Sequence, residues 1–260
     1  MRRERFLAGA TAGLSLLLVL LAAVPSGARS DAGGGSSGRT TGVGGAVRAH
    51  EQARALVDRL RESGARPDQV EAAERRRQNI RAGLWDLLRA TGRGLGDPVA
   101  VDPSGRDRHC PVARRGRDPH HRTGGPWTAP TRDYWLSAGY AARGTRWAHR
   151  HTGQDFAVPT GTPVYAVGPG TVSAVTCGDG FGNQVVIRHP DGYFTQYAHL
   201  SRIDVRRGDR VFPGTRVGLS GRTGNVTGPH LHFEVRVTPY LGSAVPPLPW
   251  LRRKDVHLAH

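Results

Sequence analysis

Two short segments of this chain set imidazoles and a carboxylate at spacings that suit one metal ion. In His151-Thr152-Gly153-Gln154-Asp155, a histidine and an aspartate stand four residues apart. In an extended backbone an even spacing sends both side chains to one face, and Gly153 between them adds no bulk. The segment His230-Leu231-His232-Phe233-Glu234-Val235-Arg236-Val237 alternates strictly. Read as a strand, it turns Leu231, Phe233, Val235 and Val237 into a core and puts His230 and His232 together on the opposite face. Neutral imidazole and carboxylate are ordinary zinc ligands. His151, Asp155 and one of the two C-terminal histidines make three, which leaves a fourth position for water, the arrangement of a catalytic site. The remaining histidine is then available as an acid or base. No H-E-x-x-H pattern supplies a glutamate base.

A third piece is Tyr193-Phe194-Thr195-Gln196-Tyr197-Ala198-His199. A regular strand would put Tyr193, Thr195, Tyr197 and His199 on one face, with His199 at its end, where it could orient water or stabilise charge. Glu234 shares the face of His230 and His232 and is a candidate partner for a ligand imidazole. His189 reads as a surface residue, and His149 as a polar neighbour at the wrong spacing from Asp155. Each pattern is weak alone; their joint occurrence in this order is a far stronger signal.

Short strands separated by turn residues must position these groups. Candidates are 163–167, 170–176, 183–189, 193–199, 216–220 and 230–237, with Pro190-Asp191-Gly192 as a hairpin turn. Such spacing predicts a mainly β domain over 133–240, a sandwich or barrel-like sheet. Upstream, Ala53, Leu56, Val57 and Leu60, then Val70, Ala73, Ile80, Leu84 and Leu87, predict a short α-helical hairpin over 47–93, broken at Gly64 and Pro67. Its simplest role is a spacer; docking or self-association is the sharper one. Residues 29–46 and 94–132 read as flexible linkers, and 241–260 as a basic tail.

The formal charge of the 260 residues is +16, carried almost wholly by arginine, with Lys254 the single lysine. Such a charge attracts polyanions. No nucleic-acid-binding motif accompanies it, so nucleic acid is not expected as a partner and an anionic cell wall is preferred. Arg2, Arg3 and Arg5 precede an apolar stretch and the small residues Pro25-Ser26-Gly27-Ala28, which predicts a signal peptide over 1–28 and a secreted, wall-associated protein. The alternative is an uncleaved membrane anchor. In an oxidising compartment Cys110 and Cys177 are a candidate disulfide, a question of geometry.

The chain resembles the lysostaphin-like, or LytM-type, zinc metallopeptidases over roughly 134–240. The matching residues are His151-Thr-Gly-Gln-Asp155, the run on to Val164, Gly170-Thr-Val172, Gly182-Asn-Gln-Val-Val-Ile187, Tyr197-Ala-His199-Leu200, Gly218-Leu-Ser-Gly221, Thr223-Gly224 and Gly228-Pro-His-Leu-His-Phe-Glu234. The resemblance implies a mostly antiparallel β domain with a groove across one zinc ion. It implies His151, Asp155 and His232 as ligands, His199 and His230 as catalytic histidines, and peptide bonds of peptidoglycan as substrate. It also implies that Asn183, Tyr140 and Arg143 border the groove. The helical hairpin and linkers lie outside it. Rival readings are a non-enzymatic wall-binding version, which would be expected to lack a ligand, a structural zinc protein and a nucleic-acid binder.

Overall fold

The computed structural model describes residues 37–94, 110, 112–113, 125–144 and 150–258. The expected signal peptide, much of both expected linkers and His149 lie outside the described residues. Among the described residues no helix is long and apolar enough to cross a membrane.

Eleven short strands, β1 to β11, are described. They are Trp135–Leu136, Gln154–Ala157, Pro163–Tyr165, Gly170–Asp179, Gly182–Arg188, Phe194–Ala198, Arg202–Ile203, Arg210–Val211, Arg216–Leu219, Leu231–Arg236 and Ala244–Val245. The main sheet runs β1-β2-β10-β6-β5-β4-β8, with β11 beside β10, and a smaller sheet runs β3-β9-β7. All these pairs are antiparallel. Leu231, Phe233, Val235 and Val237 are buried as their alternation requires, joined by Phe156, Val185, Ile187 and Tyr197. The hairpin from β5 to β6 turns at Pro190-Asp191-Gly192, where Gly192 takes φ +86° and the His189 amide donates to Tyr193 O at 2.9 Å.

Helix α1 spans Ser37–Glu62 and α2 spans Pro67–Gly94. The flexible linker expected over 29–46 is therefore helical from Ser37. Glycine costs about 1 kcal/mol per position in a helix, and tertiary contact outweighs it here, since Val43, Ala46 and Val47 lie against the core. The apolar stripe is also rotated from the one expected. Ala53, Val57, Ala73, Leu84 and Leu88 are buried, whereas Leu56 and Leu87 are exposed.

The hairpin is not a spacer. It is docked on the end of the sheet where β6 begins. Trp85 meets Phe194 and Tyr240 at 5.6 Å between ring centroids, the Tyr193 hydroxyl donates to Glu51 Oε1 at 2.5 Å, and Arg81 donates to Gly192 O at 3.1 Å. Burial opposes ionisation of Glu51, but hydrogen bonds from His50 and Tyr193 prevail and hold it at about 2.

The basic tail expected over 241–260 is likewise packed. Its first residues form β11, and α3 follows at Pro247–Arg252 with Trp250 and Leu251 buried. Trp127, from the expected linker 94–132, meets Trp250 edge-on at 5.1 Å, and Lys254 Nζ lies 4.6 Å from the Trp127 ring centroid. The β domain thus extends on both sides of 133–240, because these aromatics need each other to leave water. His189 corrects another expectation. It is buried, with Nδ1 at 2.7 Å from Pro169 O and Nε2 at 2.8 Å from the Thr195 hydroxyl. Burial pushes its imidazole down to about 4. Cys110 and Cys177 form a disulfide that ties residue 110 to β4.

Candidate metal centre

The site lies where β2 and β10 pair. Register puts His232 opposite Asp155 and Phe233 opposite Gln154. Directly opposed residues share a face, so the even spacing of His230, His232 and Glu234 brings all three to the side that carries Asp155. His151 arrives from the segment just before β2. Its amide donates to Ala142 O at 3.0 Å and its Nδ1 donates to Gly139 O at 2.9 Å. Gly153 makes room: a Cβ there would stand 2.5 Å from Phe233 O and 2.8 Å from His232 Cε1.

Three atoms converge. His151 Nε2 is 3.0 Å from His232 Nδ1 and 3.1 Å from Asp155 Oδ1, and His232 Nδ1 is 2.9 Å from Asp155 Oδ1. All three residues are buried. The other nitrogen of each imidazole is committed, His151 Nδ1 to Gly139 O and His232 Nε2 to Glu234 Oε1 at 3.0 Å. Such outer contacts fix the tautomer and aim one lone pair from each ring at a common point. In a zinc tetrahedron with bonds of about 2.0–2.2 Å the ligand atoms stand about 3.3 Å apart. The triad therefore needs to open by only a few tenths of an ångström, and its donor set fits a small divalent cation.

The electrostatics favour positive charge at this point. Burial opposes charge on His232, yet the carboxylates of Asp155 and Glu234 outweigh it and lift the imidazole to about 9. Asp155 is held well below the usual carboxylate range: burial resists, and hydrogen bonds from His151 and His232 win. Glu234 falls to about 2 against its burial, chiefly through Arg236. Arg236 is itself buried, donating to Glu234 Oε2 at 2.6 Å, Gln196 Oε1 at 2.6 Å and Pro239 O at 3.1 Å. The chain of polar groups continues from Gln196 to Gln184 and on to Asp179. Thr152 donates its hydroxyl to Glu234.

His199 and His230 flank the triad. Their rings are 4.7 Å apart, and His199 lies 5.7 Å from the His232 ring. His199 does not share the Tyr197 face as a regular strand would have it. β6 ends at Ala198, and His199 takes φ +61°, which turns it from the core side, where Tyr197 meets Phe233, to the metal side. That left-handed backbone costs about 1–3 kcal/mol. It is held by the His199 amide donating to Phe181 O at 2.9 Å and Nδ1 donating to Thr223 O at 2.8 Å. His230 Nδ1 donates to Gly228 O at 2.9 Å, and its Nε2 stands 3.8 Å from Asp155 Oδ1. Both rings thus keep an Nε2 lone pair. Burial, then the neighbouring His232 and His230, push His199 down to about 4.

The expected groove residues divide. Asn183 donates from Nδ2 to Leu200 O at 2.9 Å and from its backbone amide to Thr223 Oγ1 at 3.0 Å, which ties together the loops that hold His199. The Tyr140 hydroxyl is committed to Ala244 O at 3.0 Å, and Arg143 is exposed. Sequence reasoning missed Phe181, whose ring lies 5.4 Å from His232, and Arg236. Alternation puts Arg236 on the His232 face, but nothing local says that this face is buried there.

Residues 149–247 match the model of peptidase family M23. Over these residues the chain is similar to peptidase family M23. Among its relatives, the peptidoglycan DD-endopeptidase ShyA of Vibrio cholerae is 54% identical over 87 residues, which cover 34% of this chain and 20% of ShyA. The DD-carboxypeptidase/endopeptidase Mpg of Neisseria meningitidis is 47% identical over 87 residues, again 34% of this chain and 20% of the relative. The chain thus spans about a fifth of the length of these curated relatives. Among solved structures, the catalytic domain of the antimicrobial peptidase lysostaphin from Staphylococcus simulans is 35% identical, with 46% of this chain and 93% of that chain covered at a TM-score of 0.45.

Proposed function

We propose that this protein is an exported zinc-dependent endopeptidase that hydrolyses peptide bonds in bacterial peptidoglycan. One observation carries the reading: His151 Nε2, Asp155 Oδ1 and His232 Nδ1 converge to within 3.1 Å, beside two further imidazoles, inside an M23 domain. The three residues would hold one zinc ion. When bound, it supplies Lewis acidity that activates water and polarises the scissile carbonyl.

The chain's own residues do the rest. Glu234 holds a proton on His232 Nε2, so that Nδ1 is the nitrogen that would face the cation, and Gly139 O does the same for His151. His199 and His230 each offer Nε2 to the substrate side. Imidazole there can accept a proton from the attacking water and return it to the departing amine. The half-buried Phe181 ring, 5.4 Å from the His232 ring, limits water on the floor of the site. The relatives named as peptidoglycan endopeptidases support the substrate, and export and basic charge agree with it. Residues 1–28 are proposed as the signal peptide that delivers the enzyme to the wall.

The test is digestion of purified peptidoglycan of defined chemistry, with and without a chelator, followed by mass analysis. Fragments from peptide-bond cleavage that vanish with chelator are expected. Absence of chelator-sensitive fragments overturns the enzyme reading. The mass of the protein recovered outside the cell tests export: loss of the first 28 residues supports it, and an intact N-terminus in the membrane fraction contradicts it.

A further inference from the structure

Strand β1 lies at the edge of the main sheet, next to the strand that carries Asp155. Its neighbours alternate. Tyr134 and Leu136 turn to the core, where the Tyr134 ring lies 5.0 Å from Phe156. Trp135 turns the other way and is 70% exposed. An indole left in water forgoes the favourable burial that a large aromatic ordinarily obtains. Phe212 is the other large aromatic so exposed among the described residues, and it follows β8 at the opposite edge.

Register relates this indole to the metal centre. Trp135 stands opposite Ala157 across β1 and β2. Leu231 stands opposite Phe156 across β10 and β2; His230, just before β10 and bridged to Gly221, falls beside Ala157 when that register is continued by one residue. Opposed residues share a face, and Ala157 shares its face with Asp155 two residues away. Trp135, Ala157 and His230 therefore form one row on the metal side, from β1 across β2 to the residue that precedes β10. Two interstrand spacings, about 10 Å, separate the ends of the row. Its middle member is an alanine, which leaves the floor low between a flat aromatic wall and a catalytic imidazole. An extended peptide advances about 3.3–3.6 Å per residue, so the indole lies about two to three residues from the reacting bond.

We propose that Trp135 is a specificity-determining residue, stacking on the extended peptide about two to three residues from the scissile bond, on the arm that crosses Ala157. The inference rests on the peptidase reading above and names the part of the substrate that this site grips. Stacking on an exposed indole acts on binding and not on the chemical step, because Trp135 reaches neither the triad nor His199.

The experiment measures kcat and KM on sugar-free cross-linked peptides derived from peptidoglycan. One peptide is full-length, and two are shortened to a single residue on one or the other side of the scissile bond. Trp135→Ala is expected to raise KM on the full-length peptide about fivefold with kcat changed less than about twofold, and Trp135→Phe to restore most of the loss. For one of the shortened peptides the wild-type advantage is expected to disappear. Zinc content and melting temperature serve as controls for the site and the fold. An unchanged KM overturns the inference, as does an equal loss on all three peptides. If the wild type cleaves none of these peptides, the peptidase reading itself fails; if it cleaves and Trp135→Ala matches it, only the present inference fails.

Discussion

Gly153→Ala tests the geometry of the metal centre with a single methyl group. Gly153 lies between His151 and Asp155, and its φ is outside the left-handed region, so the backbone itself accepts alanine. Space does not. The added Cβ would stand 2.5 Å from Phe233 O, 2.8 Å from His232 Cε1 and 2.9 Å from His232 Nε2. A relaxed carbon–oxygen contact is about 3.3 Å, so β2 and β10 must part by roughly 0.8 Å or the His232 ring must swing away by a similar amount. Overpacking of this kind costs about 1–3 kcal/mol of stability. A misplacement near 1 Å in a reacting centre costs about 100-fold in rate. The assays are zinc affinity by chelator competition and kcat/KM on a peptidoglycan-derived peptide. Gly228→Ala is the control, since a Cβ there meets nothing within 4 Å; it is expected to stay within about twofold of wild type. Zinc affinity and kcat/KM of Gly153→Ala within about threefold of wild type would refute the reasoning.

Three other outcomes follow from named contacts. His199→Ala is expected to keep its zinc and lose turnover by about 100-fold or more; unchanged kcat removes it from the catalytic set. Tyr193→Phe removes the hydroxyl that Glu51 accepts between α1 and β6. It is expected to lower stability in urea by about 1–2 kcal/mol with kcat/KM intact, and equal stability would show that this contact does not hold the hairpin. His189 gives a pH signature. Its folded pKa of about 4 lies below the ordinary imidazole value of about 6.5. The unfolded chain therefore takes up a proton first as pH falls, so stability declines between about pH 6.5 and 4, by about 3 kcal/mol at most. Denaturation across that window is expected to show a shallower slope in His189→Gln; identical slopes would contradict the assignment.

The convergence of His151, Asp155 and His232 at the candidate metal centre was legible because parity survives folding. His151 and Asp155 four apart, and His230 and His232 two apart, needed only extended backbone to converge, and alternation fixed which side of β10 was core. The turn at Pro190-Asp191-Gly192 was legible for a local reason, positive φ at Gly192. What escaped depends on distant partners. The glycine-rich start of α1 reads as coil until the β domain packs against Val43 and Val47. Trp127 and Trp250 look like parts of loose segments until each covers the other. His199 needed a left-handed residue that no local pattern announces, and His189 looked exposed because its acceptor at Pro169 and its ring neighbours come from elsewhere in the chain. Arg236 sits on a polar face that is buried on both sides, a condition set by Gln196 and Glu234 together.

The most direct test of the central claim is metal content measured together with turnover, in the wild type and in Asp155→Ala. The account predicts one zinc per chain and chelator-sensitive cleavage of peptidoglycan peptides in the wild type. It predicts neither in the variant, with a circular dichroism spectrum that still shows the β domain. Stoichiometric zinc and full cleavage in Asp155→Ala would contradict it.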